Sequence, residues 1–142
     1  MSESSIFAEE RIGVRLKISG LRIAMLFLFA YGDIFGFFKP GQIEEVMSGT
    51  VSGNEITQAF LFAVSVYVAI ASGMIFLSLV LPPAVCRWTN IVLAILYIAS
   101  IVAAAIGEDA YYLFLSAVEI AMLLLIVGYA WTWPRPRQAH NP

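Results

Sequence analysis

Four apolar runs, each long enough to cross a bilayer, constrain this chain more than any other feature. They cover residues 16–38, 56–81, 85–106 and 110–133. A hydrocarbon core about 30 Å thick takes roughly 20 mostly apolar residues as a helix. Inside it only helices or closed barrels satisfy every backbone donor and acceptor. Each run ends at a breaker: Lys39-Pro40-Gly41, Pro82-Pro83, Gly107-Glu108-Asp109, then Pro134 and Pro136. The expected fold is therefore all-α, a four-transmembrane-helix bundle of up-down topology. Residues 1–15 form an N-terminal segment, 16–133 the membrane domain and 134–142 a tail. The composition fits, with 61% hydrophobic and 13% charged residues, since a soluble domain is nearer 45–50% and 25%.

A cleaved signal is not expected, because the first run is long, contains Asp33 and lacks a small-x-small site after it. Arg11, Arg15, Lys17 and Arg22 are read as preceding the first span, Arg87 separates spans two and three, and Arg135 and Arg137 follow span four. Only Lys39 falls on the other side. The positive-inside rule then predicts cytoplasmic N and C termini in an inner membrane. Trp88, Tyr129, Trp131 and Trp133 mark the inner interface, and Tyr111 and Tyr112 the outer one. Within PGQIEEVMSGTVSGNE, Ile43, Val46 and Met47 have helical spacing, so a short interfacial helix is expected before a Ser/Gly/Asn turn. That segment reads as a plain connector ahead of a lid.

With Arg22 placed outside, no Lys, Arg or His remains between the ends of any span, yet two carboxylates do. Asp33 falls roughly 9 Å below the outer boundary and Glu119 roughly 15 Å deep, at 1.5 Å per residue. A central acid costs on the order of 2.5–3.5 kcal/mol on insertion scales, so both should face protein or a water-filled cavity. Glu119 is expected to keep its proton at neutral pH and to donate a hydrogen bond inside the bundle. Candidate partners are Tyr31, Tyr67, Tyr97, Ser65, Ser72 and Ser100, with Gln58 and Asn90 nearer the ends. Gly32 and Gly36 make a GxxxG pair that would carry Asp33 inward. Ser65, Ala69 and Gly73 make a small-residue seam on span two, with Ala99/Ala103 or Ser100/Ala104 on span three and Ala117/Ala121 on span four.

Cys86 is the single cysteine and His140 the single histidine. This excludes an internal disulfide, a CxxC redox pair and bis-histidine haem. No metal site and no cofactor are expected. A net charge of −2 with no basic stripe excludes nucleic-acid binding. Cys86 reads as a plain interfacial thiol beside Arg87 and Trp88, and WTWPRPRQAHNP as an aromatic anchor followed by a basic stop.

DIFGFFKPG closing span one, CRWTNI opening span three and AVEIAMLLLIVGYAWTWP as span four resemble a family of small bacterial four-helix membrane proteins of unknown function. The resemblance runs from about Leu16 to Pro134 and includes Asp33, Pro40, Gly41, Arg87, Asn90 and Glu119. It implies a bacterial inner-membrane protein with four spans and no transferable activity. Small multidrug-resistance transporters also use a membrane glutamate, but in their first helix. DoxX-like proteins share the span count, with no deciding motif.

Three functions stay open. The first is a non-enzymatic accessory or structural subunit, with Asp33 and Glu119 as polar clasps. The second is a small oligomeric transporter or proton- or cation-coupled channel protomer with Glu119 as the protonatable site. The third, weakest, is a lipid- or quinone-binding membrane enzyme. The expected partners are the lipid bilayer and further copies of the chain or the other subunits of a membrane complex. A hydrated cavity joining the two acids favours transport; a dry, filled interior favours the clasp.

Overall fold

The computed structural model describes residues 11–133. The acidic start at residues 1–10 and the tail beyond Trp133, with His140, Arg135 and Arg137, lie outside them. The elements are α1 (Val14–Gly36), α2 (Gln42–Met47), β1 (Thr50–Val51), β2 (Asn54–Glu55), α3 (Gln58–Val80), α4 (Pro83–Ala104) and α5 (Ala110–Trp131). Helices α1, α3, α4 and α5 are long and apolar enough to cross a membrane. At 22 or 23 residues each, they span about 33–35 Å at 1.5 Å per residue.

Local chemistry sets the ends. Thr57 caps α3 by accepting from the Phe60 amide at 3.1 Å. Leu81, before Pro82, is extended (ψ 150°), and Pro83 opens α4 at a position where its missing N–H costs nothing. Asp109 stands at the N-cap of α5 but makes no cap bond. Its carboxylate lies 2.8 Å from Lys39 Nζ, with Glu108 at 3.3 Å. Hydrogen bonds to Asp109, then to Glu108, push the Lys39 amine above its ordinary value. The ammonium is therefore present below the usual lysine range and is lost only as pH climbs through the raised value.

The expected interfacial helix is α2, and the Ser/Gly turn is a two-residue hairpin. Val51 pairs with Asn54 across Ser52 and Gly53, both with positive φ (47° and 75°), the backbone a tight hairpin needs.

Helix α1 packs between α3 and α5, and α5 also packs along α4; α3 approaches α4 closely in few places. Residues near the chain ends and the Pro82–Pro83 joint lie at what we call the terminal end; α2 and the α4–α5 turn lie at the loop end. The buried core of Ile18, Met25, Ala71, Ile91, Ala94, Leu123, Ile126 and Ala130 lies toward the terminal end. Large apolar side chains cover the outside, Phe62 being 72% exposed, as helices built for lipid require.

The terminal end also holds what the sequence reading placed wrongly. Arg22 does not precede the first span; it lies within α1, roughly 12 Å from Val14 along the axis, and is fully buried. Helix α1 begins early enough to enclose it. Its Nε and Nη2 donate to Asn90 Oδ1 at 3.0 and 2.9 Å. Asn90 Nδ2 donates to the Cys86 carbonyl at 2.8 Å, with Ser78 Oγ 3.2 Å away. Cys86, expected at the interface, is buried and donates its thiol hydrogen to the Ser78 carbonyl at 3.3 Å.

Arg15 and Ser19, on the same face of α1, donate to the Leu79 and Ile75 carbonyls. Arg15 thus sits at the C-terminus of α3, where free carbonyls and the helix dipole favour a cation. Outside, Arg15 covers Trp133, Lys17 covers Tyr129, and Arg87 covers both Trp88 and Trp131.

Removing Asn90 strands a buried cation. Asn90→Leu is expected to cost about 1.5–3 kcal/mol, the range for hydrogen bonds to charged groups. Arg22→Leu/Asn90→Leu should recover most of that loss, because both polar groups then leave together. Unfolding in detergent checks it; single and double variants of equal stability would remove the tie from the account of the fold.

Candidate functional site: a cavity shared by two carboxylates

Where α3 and α4 stand apart, toward the loop end, all four long helices line one cavity of about 460 Å³. That volume lies within the range of small-molecule sites. Helix α1 contributes Phe29, Gly32 and Asp33; α3 contributes Phe60, Ala63, Val64, Tyr67 and Val68. Helix α4 contributes Ser100, Ile101 and Ala104; α5 contributes Tyr112, Leu115, Ser116 and Glu119. Small residues leave the space: Gly32, Ala63 and Ala104 on the lining add little volume.

Asp33 and Glu119, 86 positions apart in sequence, therefore meet at one site. Glu119 is 6% exposed and has no hydrogen-bond partner among the described residues. Asp33 is exposed on the cavity wall. No Lys, Arg or His among the described residues lines the space, and no cluster of three potential metal-ligating acids, cysteines or histidines occurs among them.

The hydroxyls expected near Glu119 are engaged with each other. Tyr67 Oη and Ser100 Oγ lie 2.7 Å apart; Ser100 Oγ also donates to the Tyr97 carbonyl at 2.8 Å, and Tyr97 Oη donates to the Tyr67 carbonyl. The Tyr67 and Tyr97 rings lie 4.5 Å apart, with Phe29 6.1 Å from Tyr67 and 6.3 Å from Tyr97. By helix register this aromatic plate sits between the cavity and the Arg22–Asn90 cluster: Phe29 follows Arg22 by two turns of α1, and Tyr97 follows Asn90 by two turns of α4.

The other candidates lie elsewhere. Tyr31 is exposed and packs on Phe35 at 5.9 Å. Ser65 donates to the Leu61 carbonyl of its own helix, and Ser72 is exposed. Ala69 and Gly73 lie on the exposed face of α3, while Gly36 packs near Tyr111. No residue of the 40–55 connection lines the cavity. Phe29, Phe60 and Ser116 line it without having been singled out in the sequence; Ser116, one turn before Glu119, is the one that helical spacing could have found.

Four helices of spanning length around an acid-bearing cavity suit a multi-pass membrane protein. Residues 6–140 match the family model of DUF6326, a family of unknown function, and the chain belongs to that family. No curated protein and no solved structure matches it.

An acid without a helix partner contributes little to holding helices together. Glu119→Leu is expected to change stability by no more than about 0.5 kcal/mol, whereas Tyr67→Phe should cost about 1 kcal/mol through the lost Ser100 bond. Thermal unfolding in micelles distinguishes them. A loss of about 1–2 kcal/mol at Glu119 would instead mark it as a clasp.

Proposed function

We propose that the chain is a small oligomeric membrane carrier in which Glu119 exchanges a proton or cation and Asp33 hands it to and from the outer side. The observation that carries this reading is the shared cavity: two carboxylates, one buried and unpartnered, around a space with no fixed positive charge. An intramembrane acid is expensive to keep, and a site that takes up cations or protons gives it a use. The polar-clasp alternative asks for a hydrogen-bond partner to Glu119, and no described residue supplies one.

The terminal end carries Arg11, Arg15, Lys17 and Arg87 and the loop end Lys39, which supports cytoplasmic termini in a bacterial inner membrane. The open small-residue face of α3, where nothing lies within 4 Å of a Cβ built on Gly73, supports self-association through that helix.

Purified protein in liposomes tests the reading. Glu119→Gln keeps shape but cannot ionise; it is expected to abolish proton-coupled cation flux, with Asp33→Asn lowering it. Flux unchanged in Glu119→Gln overturns the proposal.

A further inference from the structure

Resting on the reading of the cavity as a carrier site, we infer that its cargo is a lipophilic organic cation with an aromatic body, admitted from the bilayer between α3 and α4.

Four features of the site point to this class. First, the wall carries two carboxylates and no fixed cation, so an anion meets only repulsion while a cation gains a partner for Glu119, which is more than nine-tenths buried and otherwise unpartnered. Secondly, the space is far larger than an inorganic ion needs, and it lacks the inorganic ion's coordination shell. Hard cations take six or more oxygens, and here the Tyr67 and Ser100 hydroxyls are already bonded to each other. Thirdly, the remaining wall is aromatic and aliphatic. Phe29, Phe60, Tyr67 and Tyr112 line the same space as the acids, and a desolvated cation over an aromatic face gains on the order of 2 kcal/mol. Apolar lining with a few convergent polar groups is the usual form of an organic-ligand site. Fourthly, α3 and α4, which both line the cavity, approach each other closely in few places. Access there faces the membrane, where a lipophilic cation concentrates.

Occupancy depends on pH. The titratable groups facing Glu119 across the cavity are Asp33 on α1, Tyr67 on α3 and Tyr112 on α5, with none on α4. Protonating Glu119 removes the charge that the cargo pairs with, so affinity falls as pH falls.

The test is equilibrium dialysis of tetraphenylphosphonium against the purified full chain in micelles, corrected with protein-free micelles. Tetraphenylborate, of the same shape and opposite charge, serves as the control. Saturable phosphonium binding is expected, weakening at low pH. It should drop at least about tenfold in Glu119→Gln, as for loss of a buried charge partner, and stay unchanged in Leu124→Ala, a variant on the exposed face of α5. Equal binding of the borate, or phosphonium binding that survives both Glu119→Gln and Asp33→Asn, overturns the inference. If the phosphonium fails to bind while proton flux still depends on Glu119, the cargo class falls and the carrier reading stands. If neither depends on Glu119, both fall.

Discussion

The tie between Arg22 and Asn90 is the contact on which the rest of the architecture depends. A guanidinium inside a helix assembly must be satisfied or expelled, and here two of its nitrogens converge on one amide oxygen. Asn90 in turn holds Cys86 and Ser78, so one side chain of α1 fastens both arms of the Pro82–Pro83 joint. No carboxylate neutralises Arg22 among the described residues, and its hydrogen bonds go to the Asn90 amide oxygen alone. With α1 fixed at that depth, the terminal half fills with close-packed aliphatic side chains. The α3 and α4 helices, joined at one end and bridged midway by the long Tyr67 and Tyr97 side chains, remain apart beyond them. The cavity is the space left by that divergence.

The cavity also changes what its acids cost. A carboxyl pressed against lipid must be desolvated entirely, whereas one on the wall of a space of about 460 Å³ can keep water or a ligand beside it. This explains how Glu119 is buried by neighbouring side chains and yet makes no bond to them. The Tyr67 and Tyr97 hydroxyls close on Ser100 and on a backbone carbonyl, bridging α3 and α4 rather than reaching the carboxyl.

Much of the fold was legible in the sequence because lipid imposes a length and proline a boundary. The four runs and the Pro82–Pro83 joint needed no tertiary information. The cost of an intramembrane acid turned both carboxylates away from lipid in the sequence reading, but whether one space would hold them both was left open. Arg22 was not legible as interior. A basic residue near the start of an apolar run reads the same whether it marks the cytoplasmic border or lies two turns inside, and its partner is 68 positions away. The missed signal was periodic: Arg15, Ser19 and Arg22 fall on one helical face, which suits three polar groups aimed at a neighbour better than three snorkelling outward. The serines of α3 failed for the opposite reason. Ser65 could satisfy itself on its own helix, so polarity gave no direction.

If the chain carries cations, as proposed, the order of charges along the helices restricts how. From the loop end inward, a cation meets Asp33, then Glu119, then the plate of Phe29, Tyr67 and Tyr97, and behind the plate a buried guanidinium with one nitrogen, Nη1, left without a partner. A continuous cation pore through the protomer would have to run past that guanidinium, whose field in a low-dielectric interior is strongly repulsive to a second positive charge. The arrangement is better matched to a site that is filled and emptied from one half of the membrane, with the plate as its floor. Passage to the other half then calls for a path that avoids Arg22. The exposed small-residue face of α3, the least buried of the four long helices, is where the proposed contact between copies would supply such a path.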